Sequence, residues 1–222
     1  MSKESSHHAD TTTTSTYIDP GADTAEGYAI SQKSRTLARQ RVGNATVEDR
    51  IRQRCSIAVG DFSMADLLRF GHHPVPAALK ALKSAAPIIT DIRMVQVGIQ
   101  KKGHTSEVIC ALDYGADIVK ERGITRSSAG FIALKERLPG SIVVIGNAPS
   151  ALLMLCEFVK EGVRPAVIIG TPVGFVNAAE SKEVLRTTDI PSVSNEGTRG
   201  GTPVAVAAMN ECITIFIEGL KK

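Results

Sequence analysis

Few side chains in this 222-residue chain can move a proton or anchor a charge inside a fold. His72 and His73 fall in GHHPVP, a turn ahead of a proline-initiated helix, and His104 falls in the polar turn KKGHTSE. An imidazole titrates near neutrality and suits acid–base work, although each of these also reads as an exposed loop histidine. Asp91 and Arg93, in TDIRMV, directly follow an apolar run; they form either a site pair or a local salt bridge or helix cap. Lys182, in AAESKEVL, is either a solvated helix residue or a cation facing a ligand crevice. His7 and His8 belong to MSKESSHHADTTTTST, whose polar composition reads as a solvated tail rather than a metal site.

Four turns have the character of anion sites. Val143–Gly146 leads into Asn147-Ala148-Pro149-Ser150 at a helix start, and Ile168–Gly170 leads into Thr171-Pro172-Val173-Gly174. Glu196-Gly197-Thr198-Arg199-Gly200-Gly201-Thr202 precedes the last helix, and Thr125-Arg126-Ser127 opens another. Small residues and helix-start amides accommodate phosphates or carboxylates, and Arg126 adds a guanidinium for bidentate pairing. Each such turn also serves as plain punctuation, but four together favour a large, multiply charged ligand. Neither a Walker loop nor a GxGxxG after a strand is present, so no nucleotide is indicated.

The elements that must hold these turns follow from periodicity. Apolar runs at 87–90, 107–112, 141–146 and 166–170, with a weaker one at 190–193, are continuous rather than alternating. Strands covered on both faces look like this. Helices are expected between them at 126–138, 149–162, 178–187 and 203–219, and an N-terminal helical part at 25–41, 46–59, 64–70 and 74–85. The expected fold is a three-layer α/β domain over 17–222, its mainly parallel sheet flanked by helices, with residues 1–16 outside it.

Composition narrows the function further. With 26 basic and 23 acidic residues the net charge is +3, and with only 4% aromatics no base-stacking basic surface is expected, so nucleic acid is excluded as a partner. The four cysteines are scattered without CxxC or zinc spacing, as in reduced cytoplasmic proteins. No apolar run reaches membrane-spanning length, and the N-terminus lacks the apolar segment of a signal peptide.

IVVIGNAPSALLML, RPAVIIGTPVGFVNAAESKEVL and the Arg-Gly-Gly of GTRGGTPVAVAAMN resemble the precorrin-8X methylmutase family. PIITDIRMVQVGI and GITRSSAGFIAL resemble it in the same order, so the likeness spans 69 to 210 and weakens in the N-terminal third. The resemblance implies an isomerase of corrin-ring (cobalamin) biosynthesis that moves a methyl group from C-11 to C-12 without a redox or nucleotide cofactor. It also implies a homodimer binding a tetrapyrrole polycarboxylate at its strand ends. Carboxylate arms would meet Arg93, Thr125, Arg126, Asn147, Lys182, Arg199, Gly200 and Gly201, with Lys182 then placed in the crevice.

The family supplies a proton from a histidine in a pattern like R-[MV]-[IV]-H-A-[CT]-G. Here the matching segment is Arg54-Cys55-Ser56-Ile57-Ala58-Val59-Gly60: arginine, alanine and glycine are kept, and the histidine is Ile57. The family's binding serine corresponds to Ser34, in Ile30-Ser31-Gln32-Lys33-Ser34. Arg54 and Ile57 are three apart, on one helix face. Without the imidazole, either another group such as His72 or His73 serves as acid, or the chain is an impaired paralogue that binds a tetrapyrrole without turnover. Asp61 is nearer in sequence, but an ionised carboxylate is a poor acid at neutral pH.

Overall fold

The computed structural model describes residues 24–221; the tail expected at 1–16, with His7 and His8, lies outside the described residues. Four helices come first: α1 (Ala25–Val42), α2 (Val47–Val59), α3 (Ser63–Leu67) and, after strand β1 (Leu68–Gly71), α4 (Pro74–Lys83). There follow β2 (Ile88–Thr90), α5 (Arg93–Gly98), β3 (Val108–Cys110), α6 (Ala116–Arg122), α7 (Arg126–Ala133) and β4 (Ile142–Ile145). The chain ends with α8 (Pro149–Lys160), β5 (Val167–Gly170), α9 (Ala178–Arg186), β6 (Ser192–Asn195) and α10 (Thr202–Gly219).

The strands form one six-stranded sheet in the order β1-β6-β5-β4-β2-β3, parallel except for β1. Its central strands are buried along their whole length, as their continuous apolar runs require. Successive residues serve opposite layers. Ile142 and Val144 pack with α2, α4, α5 and α10, whereas Val143 and Ile145 pack with α7, α8 and residues of α9. The expected three-layer α/β fold is therefore the observed one. All four cysteines are free and buried; burial pushes their thiols up, Cys156 and Cys212 to about 12.

Local signals place most helix ends. Thr46 caps α2 as expected: its hydroxyl accepts from Asp49 N–H at 3.2 Å, and Asp49 accepts from Thr46 N–H at 2.9 Å. Pro149 opens α8. Several elements differ from expectation. The segment 64–70 splits into the short α3 and the edge strand β1, because Leu68–Gly71 pairs with β6. The last strand lies two residues later, and its Ser192, Ser194 and Asn195 are buried despite being polar. The short helices α5 and α6 carry no clear apolar period and were not expected. Among the described residues, no helix is long and apolar enough to cross a membrane.

The N-terminal helices are tied to α10 by buried charge. Arg35 donates to both Glu211 oxygens, at 3.4 and 2.8 Å, and Arg50 reaches Glu211 at 2.8 Å and Glu218 at 2.6 Å. Glu211 is 0% and Arg35 2% exposed. This network ties to α10 the helices that carry Ser34, the neighbour of Arg35, and Arg54, one turn beyond Arg50.

Candidate active site

The chain leaves β2 toward β3 on one side and β4 toward β5 and β6 on the other. Sheets of this kind bind ligands beyond the carboxyl ends of their strands, around such a reversal. Four inter-strand steps separate β6 from β3, so this edge spans roughly 19 Å. Its residues are Thr90-Asp91, Cys110-Ala111, Ile145-Gly146, Gly170-Thr171 and Asn195-Glu196.

At the reversal, Asp91 is fully buried and accepts from three backbone amides, Gly146 at 3.2 Å, Asn147 at 2.7 Å and Ala148 at 2.8 Å. Burial pushes its carboxyl above the ordinary aspartate range while the amide bonds pull it back. The amides expected to greet a ligand at the start of α8 thus hold the protein's own carboxylate, and Asn147 offers its exposed side chain instead. Beside it, Thr125 caps α7 through Ser128 N–H at 3.3 Å and meets the Ser150 hydroxyl at 2.9 Å. Arg126 is exposed next to it, with no ion-pair partner among the described residues. Arg93 is no partner for Asp91; it reaches Gln96 at 2.7 Å and pairs with Asp113, which raises its pKa.

At the other end of the edge, Gly201 N–H donates to the Thr171 carbonyl at 2.7 Å, and Gly174 N–H to Thr198 at 3.1 Å. A Cβ on Gly200, whose φ is +144°, would stand 2.3 Å from the Thr171 oxygen, so only glycine permits this approach. Arg199 projects from the same loop to the Ser63 hydroxyl at 2.9 Å and to the Asp61 carboxylate. Hydrogen bonds from Ser63, and then the Arg199 guanidinium, hold the Asp61 carboxyl below its usual range. Asp61 therefore stays ionised at neutral pH and is no proton donor.

Arg54 and Ile57 share one face of α2, as their spacing requires. With Ala58, Pro203, Val206, Ala207 and Asn210 they line an open groove of about 390 Å³ beside the start of α10. A larger cavity, about 520 Å³, lies elsewhere on α2 and includes Arg41, Arg52 and Arg69. Two of its guanidiniums are already engaged, Arg52 with Asp49 at 3.5 Å and Arg69 with Glu196 at 2.7 Å. The groove at Ile57 opens beside the start of α10, the helix that follows the turn bearing Arg199.

A family model for precorrin-8X methylmutase matches residues 29–215. The chain belongs to the precorrin-8X methylmutase family. This is a family of isomerases of cobalamin biosynthesis that catalyse methyl migration. The chain is 38% identical over 206 residues to a cobalt-precorrin-8 methylmutase of Methanocaldococcus jannaschii, covering 87% of this chain and 96% of the relative. It is 40% identical over 201 residues to a cobalt-precorrin-8 methylmutase of Methanothermobacter thermautotrophicus, covering 88% and 96%. A solved precorrin-8X methylmutase of Thermus thermophilus superposes with a TM-score of 0.80 at 34% identity, covering 86% of this chain and 97% of that one.

The structure places the histidines and Lys182 as follows. His72 and His73 follow β1, away from the carboxyl edge of the sheet. β1 runs antiparallel to β6, Leu68 opposite Asn195 and Gly71 opposite Ser192, so the chain carries both histidines to the amino edge of the sheet. His104 lies before β3, also at that edge, with its ring bound to Gln100 O at 2.6 Å and Ser106 N–H at 3.2 Å. No histidine among the described residues therefore stands at the carboxyl edge. Lys182, placed in the crevice by resemblance, is 0% exposed and points inward. Its ammonium donates to Arg199 O at 2.6 Å and Asn195 Oδ1 at 3.3 Å, and burial, with the Arg186 guanidinium, lowers its pKa to about 8. Ser63, Asp113 and Ser150 were missed, because only the folded chain shows them bonded to Arg199, Arg93 and Thr125.

Arg126→Ala is expected to weaken binding of a tetrapyrrole polycarboxylate about tenfold, the worth of one charge-assisted hydrogen bond. Fluorescence or absorbance titration measures this. Unchanged affinity would remove Arg126 from the site.

Proposed function

We propose that this chain is a cytoplasmic methylmutase that moves a methyl group from C-11 to C-12 of precorrin-8X or cobalt-precorrin-8. The observation that carries the reading is the carboxyl edge of a methylmutase sheet bearing Arg93 and Arg126 at one end and Arg199 at the other, with Arg54 in the adjoining groove. Guanidiniums so separated suit a rigid macrocycle with carboxylate arms on several sides. Ser34, Thr125, Asn147, Gly200 and Gly201 would complete the binding surface. A homodimer forms part of the proposal: Phe175 and Val176, after β5, are 94% and 75% exposed, and Met94 and Val97, on α5, are 60% and 68% exposed. Apolar groups left so open suit cover by a second copy.

Migration within one bound molecule asks the protein mainly for positioning, and a proton at the ring supplies further bias. Ile57 cannot deliver that proton, and neither Asp61 nor a described histidine replaces it. The chain's own contribution is to hold the arms, keep the ring over the strand ends, and place Arg54 as fixed positive charge beside it.

The test is anaerobic incubation of the purified protein with precorrin-8X and, separately, cobalt-precorrin-8, followed by absorbance. Conversion is expected at a rate roughly 10²–10⁴ below a histidine-bearing relative, the usual contribution of an acid–base group. Binding with no conversion over many hours would replace this reading with that of a non-catalytic tetrapyrrole-binding paralogue, which Ile57 favours.

A further inference from the structure

The buried ammonium of Lys182 has no carboxylate partner among the described residues, and it is the sort of group that an apolar side chain would replace without loss of packing. Its two acceptors lie at the end of β6 and in the turn that follows it, which carries Arg199. One is the Arg199 carbonyl at 2.6 Å; the other is Asn195 Oδ1 at 3.3 Å. Asn195 turns its amide nitrogen to the same Arg199 carbonyl and to Glu196 O at 3.0 Å. On the outer side of the turn, Gly200 sits against the Thr171 carbonyl and the Arg199 guanidinium reaches Ser63 and Asp61. The backbone of Arg199 is thereby held from within by a lysine with no exposed surface.

We propose that Lys182 is a positioning residue whose bond to the Arg199 carbonyl sets the Arg199 guanidinium for a substrate carboxylate. The inference rests on the methylmutase reading given above. Lys182 contributes by removing freedom from the 196–200 turn before the ligand arrives, so the guanidinium need not be ordered on binding. A lysine that merely filled space would affect stability alone.

The test is a double-mutant cycle of Lys182→Met and Arg199→Ala, read by precorrin-8X titration and by amide hydrogen exchange of residues 195–201. Lys182→Met is expected to weaken binding roughly tenfold in the parent, with under twofold further loss in the Arg199→Ala background. Exchange at 195–201 should quicken while the helices stay protected. Equal losses in both backgrounds, or unchanged exchange, would overturn the proposal. If Lys182→Met does not fold, Lys182→Gln, which retains a neutral donor, takes its place with a smaller loss of the same non-additive kind; additivity there overturns it equally. Quickened exchange together with no precorrin-8X binding by the parent protein would sink the methylmutase reading and the substrate role proposed here, leaving only a loop brace.

Discussion

Ile57→His is expected to raise kcat for methyl migration by about 10²–10⁴, with KM little changed. Position 57 is half-buried on α2 in the groove it shares with Arg54, and it packs into no core cluster. Isoleucine and histidine differ little in helix propensity, and α2 is held by the Thr46 capping box and by Arg50 on Glu211 and Glu218. The exchange therefore adds an imidazole without disturbing what carries it. Its pKa should fall below the ordinary value of about 6.5, because the Arg54 guanidinium one turn away disfavours a second positive charge. The gain should then be larger near pH 6 than near pH 8, where the ring is neutral and donates no proton from an imidazolium. Steady-state rates for the folded variant across that range decide the matter. A gain below about threefold at pH 6 would show that position 57 is not where the proton enters.

Glu211→Ala is expected to cost about 3–5 kcal/mol of stability, read as a shift in the denaturant midpoint with unchanged slope. Glu211 is fully buried and takes Arg35 through both oxygens while also meeting Arg50. Removing it takes away the carboxylate that the buried Arg35 guanidinium holds through two hydrogen bonds, the costly half of a broken buried pair. Arg50 is partly exposed and keeps Glu218, so it suffers less. Because α1 and α2 are seated on α10 through this network, loss of substrate binding should accompany the loss of stability, through displaced Ser34 and Arg54. Replacing both partners, Arg35→Met with Glu211→Leu, should recover much of the stability. A cost under about 1 kcal/mol for Glu211→Ala would mean that apolar packing between α2 and α10 seats these helices unaided.

The strands β2 to β5 were legible because apolar runs covered on both faces have a recognisable form, and Thr46 and Pro149 mark their helix starts by local chemistry. β1 was not. LRFG is too short to show a period of two, and it follows a helical turn, so pairing with β6 alone makes it a strand. That one long-range choice also carries His72 and His73 to the amino edge of the sheet through its antiparallel direction.

The sequence by itself determined which side chains exist at each motif. The methylmutase segments are written in it, as is the isoleucine at position 57, and no arrangement of the chain can give that residue a proton to donate. The elements of the central sheet follow from residue periodicity, which is a local property. Only the tertiary structure decided what those side chains bond to. Asp91 takes the amides of 146–148, Arg199 meets Asp61 and Ser63 across more than a hundred residues, and Lys182 reaches the Arg199 carbonyl. Partner choice of this kind depends on burial and on the direction of strands distant in sequence. A buried polar group must find a partner wherever the fold brings one, and the local pattern carries no record of which it will be.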